Sequence, residues 1–179
     1  MPNAATSNLC TLAWAVIATT AAAAPPDAQP IGGKVVAIID GDTVDLLDGE
    51  KTTHRIRLHG IDAPEKGAPF SRKGRQALAD LVLQKQVAAT PVDRDRYGRT
   101  VARLQVDNRD VGLVLLDAGW VWHFTRYDRS TEYAAAERRA RDARRGLWAD
   151  PKPIPPWEWR GMSKAEREPI QRATAPSDK

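Results

Sequence analysis

The chain has 179 residues, enough to close one hydrophobic core without disulfide or metal staples. Its apolar fraction of 42% and charged fraction of 28% exclude a disordered or fibrous chain. A lone cysteine, Cys10, excludes a disulfide scaffold and a cysteine-ligated zinc site, while a formal charge of +4 is compatible with a polyanionic partner without requiring one.

Residues 9–24 are apolar, uncharged and end in small side chains, which predicts a secretory signal over residues 1–24. The run is shorter than the ~18–20 residues of a membrane span. A short membrane anchor is the alternative. Residues 25–33, with Pro25, Pro26 and Pro30, read as an extended spacer. Cys10 would leave with the leader. The folded domain is then expected over residues 34–150, with a Pro/Trp-rich C-terminal tail over 151–179.

Within the domain, Lys34 to Ile39 predicts a strand, and Thr43 to Leu47 its hairpin partner across an Asp-Gly turn. Thr53 to Ile61 alternates: Ile56 and Leu58 on one face, Arg55, Arg57 and His59 on the other. Ser71 to Gln84 has helical spacing, with Ala77, Leu78, Leu81, Val82 and Leu83 as its apolar residues. Val87 to Val92 and Val101 to Val106 predict two further strands around a polar connector. Val111 to Ala118 reads as a helix stopped at Gly119, and a third helix starts at Ser130 or Thr131 and runs to Arg145, with Gly146 as its stop. The arginines of that third helix suit a solvated face, with a nucleic-acid contact as the alternative. Beyond it, Trp157 and Trp159 are placed to anchor the tail, with fraying expected from Ser163. The order of elements predicts an α+β, mostly β, fold: a five-stranded OB-type barrel with three helices.

Asp40, Asp42, Asp62 and Glu65 lie near strand ends, without histidine or cysteine among them. Two carboxylates about 4 Å apart repel by about 4 kcal/mol at an effective dielectric of about 20. If the fold gathers these groups, a cation belongs between them. Hard oxygen donors select Ca²⁺ or Mg²⁺ over zinc.

Asp40-Gly41-Asp42-Thr43, then Arg57 with Asp62-Ala63-Pro64-Glu65, then Asp95-Arg96-Tyr97-Gly98-Arg99 occur in this order. Together they resemble the staphylococcal nuclease (thermonuclease) family, over about Lys34 to Trp148. The resemblance implies a phosphodiesterase that uses Ca²⁺ to cut DNA and RNA with low sequence preference, leaving 3′-phosphate ends. It implies Asp42, Asp62 and the backbone carbonyl of Ala63 as ligands of the ion, with Asp40 tuning the site nearby. It implies Glu65 as general base or water-positioner and Arg57 and Arg99 as phosphate-binding guanidiniums, whose forked donors suit phosphate geometry. Tyr127 matches an aromatic that packs on the nucleotide.

Other aromatic and histidine residues have plainer readings. Tyr97, Trp120, Trp122 and Phe124 are expected to pack, and His59 and His123 to be sheet and surface residues. A monomer is the default. The alternative to an enzyme is a non-catalytic OB-type barrel that binds single-stranded nucleic acid. Retention of Arg57, Glu65, Arg99, Asp42 and Asp62 together favours cleavage, since a binding barrel has no physical need of them.

Overall fold

The computed structural model describes residues 29–174. The expected leader over 1–24 lies outside the described residues.

Strand β1 (Ile31–Ile38) pairs antiparallel with β2 (Thr43–Asp48), and β2 with β3 (Thr53–Leu58). A bulge between Val35 and Ala37 shifts the register, so that Val35 and Ile38 both turn inward although they are three residues apart. Strand β4 (Ile61–Asp62) follows a tight turn at Gly60, whose φ of 75° is the left-handed conformation that glycine adopts without penalty. The alternating stretch predicted over 53–61 is therefore two strands separated by a corner.

Strands β5 (Gln86–Arg94) and β6 (Thr100–Val106) pair antiparallel, with a second bulge between Pro91 and Asp93, where a residue lacking an N–H is tolerated. The sheet order is β3-β2-β1-β5-β6, extended by the two-residue β7 (Arg109–Asp110), and a parallel β3–β6 pairing closes it. The result is the five-stranded barrel expected from sequence. Its interior is filled by Val35, Val44, Leu46, Ile56, Ala102 and Leu104.

Three helices belong to the domain. In α1 (Ser71–Val82) the buried face is Gly74, Leu78 and Val82, one residue every four. Leu83, predicted to be part of that face, lies past the helix end and is exposed. The small side of Gly74 permits close packing, since a Cβ there would sit 3.1 Å from the Trp120 carbonyl oxygen. Helix α2 (Val111–Ala118) is capped by Asp110, whose carboxylate accepts from the Leu113 N–H at 2.9 Å. The same carboxylate accepts from the Tyr133 hydroxyl at 2.8 Å, joining α2 to α3 (Thr131–Asp142). Two arginines of α3 have partners: Arg139 pairs with Asp117, and Arg141 pairs with Glu137 and lies over the Trp148 ring. Arg138, Arg139 and Arg141 are all exposed.

Strand β8 (Trp122–His123) pairs with β4 and sets Trp122 opposite Asp62. Around it lies a smaller core of Trp122, Ala140, Leu147 and Trp148. Two residues depart from the sequence expectation. His123 is buried rather than at the surface, because β8 turns it toward Asp128. Tyr97 does not pack into the protein: it is 75% exposed, at the tip of the β5–β6 connection, flanked by Arg96 and Arg99.

The tail folds as well. Helix α4 (Pro156–Gly161) opens with a proline in its first turn and buries Trp159, and α5 (Lys164–Thr174) replaces the fraying expected from Ser163.

Candidate active site

Four pieces of backbone converge where β1 ends, β3 turns into β4, and the tail crosses. The Asp40–Asp42 turn is shaped locally: the Asp40 carboxylate accepts from the Asp42 N–H at 3.1 Å. The turn is joined to β3 by the Leu58 N–H donating to the Asp42 carbonyl at 2.8 Å. Gly41 lies against Ala63, with room for no side chain: an added Cβ would come within 2.7 Å of the Ala63 Cβ. That close approach lets the Ala63 N–H donate to the Asp42 carboxylate at 2.7 Å. Thr43 supplies a second donor to Asp42 at 3.0 Å.

Arg57 reaches into this corner from β3. One terminal nitrogen donates to the carbonyls of Leu58 and Ile61, which holds the β3–β4 corner. The other lies 3.1 Å from Asp42 and 3.0 Å from Asp62. Both aspartates are buried and share this one guanidinium nitrogen. Burial pushes the Asp42 carboxyl up to about 7; Arg57 pulls it down, but Asp40 and Asp62 push the same way as burial. Asp42 shares Arg57 with Asp62 and has the Asp40 carboxylate beside it.

Glu65, in the loop after β4, is joined to the cluster through Arg160 of α4. Arg160 lies 2.6 Å from Glu65 and 2.7 Å from the outer oxygen of Asp62, with a longer contact of 3.3 Å to the inner one. Asp62 thus stands between two guanidiniums. From sequence the tail has only an anchoring role, and Arg160 is the site residue that reading omits. The available signal was an arginine directly after Trp159 in a proline-led helix.

Not every predicted site residue joins the cluster. Arg99 is held by Asp95, its side-chain Nε donating at 2.7 Å and its backbone N–H at 3.0 Å. No hydrogen bond or ion pair among the described residues links it to Asp42, Asp62 or Glu65. It borders a separate open hollow with Asp45, Arg55 and Tyr97. The two sites are neighbours across the barrel closure, since Val101, two residues after Arg99, lies beside Arg57. Tyr127 is 59% exposed, edge-on to Phe124 at 5.0 Å. Phe124 in turn stacks on Trp157 of the tail.

The donor set can be tested against a divalent ion. Two buried carboxylates meet at one point, the Ala63 backbone lies against them, and the donors are all oxygen. No three His, Cys, Asp or Glu side chains among the described residues gather closely enough to hold a metal by themselves. A hard ion bound by two carboxylates would complete its shell with backbone oxygen and water. The residues present fit such an ion.

A closed barrel with an aspartate–arginine–glutamate cluster at the β3–β4 corner has the architecture and chemistry of a phosphodiester hydrolase. The model of the staphylococcal nuclease homologue family matches residues 55–150, and the chain belongs to that family. Over 167 residues it is 38% identical to Protein ParB of Escherichia coli, covering 87% of this chain and 93% of that one. It is 38% identical over 143 residues to a micrococcal nuclease of Shigella flexneri, covering 74% and 82%. An uncharacterized endonuclease of Escherichia coli O157:H7 is 39% identical over 131 residues, covering 73% and 85%. The protein is a nuclease, and its substrates are nucleic acids.

Proposed function

We propose that this nuclease is a monomeric, Ca²⁺-dependent phosphodiesterase that cuts DNA and RNA with low sequence preference, leaves 3′-phosphate ends, and works outside the cytoplasm. The observation that carries the reading is the shared contact of Asp42 and Asp62 on one Arg57 nitrogen, with Glu65 beside Asp62.

Asp42, Asp62 and the Ala63 carbonyl would hold the ion, which supplies a Lewis acid for a phosphoryl oxygen when bound. Asp40 shapes the Asp42 turn and adds negative charge next to it. Glu65 accepts a proton from, or orients, the attacking water. Arg57 lies at the carboxylates and Arg99 at the neighbouring hollow, so that a strand crossing both meets two forked cations. Tyr127 offers an exposed ring on which a base can stack. Export through the N-terminal leader would place the enzyme in the periplasm or the medium.

The test is cleavage of single-stranded DNA, duplex DNA and RNA by the purified protein, with Ca²⁺ or with chelator. Cleavage should require Ca²⁺, leave 3′-phosphates, and fall by about 10²–10³-fold in Glu65→Ser and in Arg57→Gln, the loss typical of a preorganised charge-stabilising group. Binding without cleavage under every divalent metal would replace the enzyme by a single-strand-binding barrel.

A further inference from the structure

Glu65 has a side chain 38% exposed, and among the described residues its carboxylate has a single partner, Arg160. That guanidinium is delivered from 95 residues along the chain. Its backbone is not free to wander. Trp159, the residue before it, is 2% exposed, and Pro156 is buried at the start of the same helix. Trp157 stacks on Phe124 at 5.9 Å with an interplanar angle of 7°, and meets Trp122 edge-on at 5.5 Å. Arg167 of α5 lies over the Trp159 ring and donates to the Arg160 carbonyl at 3.1 Å. Two tryptophans and a cation thus hold in place the helix that presents Arg160.

The two guanidiniums divide the site. Arg57 serves Asp42 and the inner oxygen of Asp62, while Arg160 serves the outer oxygen of Asp62 and Glu65. The two approach Asp62 from different elements, Arg57 from β3 and Arg160 from α4, and only Arg160 reaches Glu65.

We propose that Arg160 is a positioning residue of the cleavage site: from the docked tail helix it bridges Asp62 and Glu65 and fixes the Glu65 carboxylate for its work on the attacking water. This rests on the role given to Glu65 above. A bridge that persists beside the ion is distinct from a tethered cation that the ion must expel, and the two make opposite predictions.

Two measurements on the full chain separate them. The first is side-chain ¹H–¹⁵N spectroscopy of arginine, with Arg160 assigned by its loss in Arg160→Lys. Its signals should be protected from exchange both with and without Ca²⁺, and should move in Glu65→Gln. Loss of protection on adding Ca²⁺ would overturn the proposal. The second is kinetics at saturating Ca²⁺. Arg160→Gln should lower kcat by about 10–100-fold, as expected for a group that orients a catalytic one, with a much smaller change in KM. Arg160→Lys should recover part of the loss, and both variants should keep the wild-type unfolding midpoint, because Trp159 remains. Wild-type or raised turnover in Arg160→Gln would also overturn it. A wild-type protein that cleaves nothing would refute the reading of the site itself, whereas the spectra judge the bridge without any turnover.

Discussion

Asp128 shows how much one side chain can organise. It is buried, yet it accepts from the Ser130 N–H and hydroxyl, from Arg103 at 2.7 Å, and lies 3.1 Å from the His123 ring nitrogen and 3.4 Å from that of His59. Its donors come from β6, β8, the β3–β4 corner and the start of α3, so it pins the loop that carries Tyr127. Burial pushes its carboxyl up, but the donors from Ser130, His123 and Arg103 outweigh this and hold it below the usual carboxylate range. A depressed carboxylate binds fewer protons folded than unfolded. Its stabilisation is complete above an ordinary aspartate pKa of about 3.9 and is lost as pH falls through the lower folded value. Asp128→Asn should therefore cost about 1–3 kcal/mol in urea unfolding at pH 7, and the gap to wild type should close in strongly acid solution. A gap independent of pH would assign the loss to packing rather than to charge.

At the scale of elements, the site depends on two turns touching. Gly41 allows the β1–β2 turn to meet Ala63, and the Ala63–Asp42 hydrogen bond depends on that meeting. Gly41→Ala should force the turns apart and move Asp42 from Asp62. The expected stability loss is that of modest overpacking, about 1–3 kcal/mol. The expected loss of turnover is larger than this instability explains, and comparing kcat with the unfolding midpoint separates them. Unchanged kcat would mean that the turns yield without disturbing the carboxylates.

For the molecule as a whole, the barrel closure sets Arg57 of β3 beside β6, and Arg99 directly precedes β6, but the two do not join one cluster. If a strand of nucleic acid spans both, each phosphate contact adds to the salt dependence of binding. Affinity for a short oligonucleotide, measured with chelator present, should fall linearly on logarithmic axes as salt rises. Arg99→Ala should reduce that slope by about one unit. An unaltered slope would remove Arg99 from the phosphate path. The modest formal charge of +4 makes such local arginines, rather than the global field, the source of attraction.

The sequence by itself determined most of the barrel strands and the helices of the domain, because periodicity and turn glycines are local and survive in one dimension; the aspartate–arginine–glutamate set it suggested only through a family resemblance. Ile56 and Leu58 alternate with Arg57 whatever surrounds them. Only the tertiary structure decided what depends on distant residues meeting. The β3–β6 pairing closed the barrel, β8 buried His123 against Asp128, and Tyr97 was left exposed at the β5–β6 tip, between Arg96 and Arg99. The same holds for Arg160: no local pattern joins it to Asp62 and Glu65, because the contact exists only once Trp157 and Trp159 have docked the tail across the site.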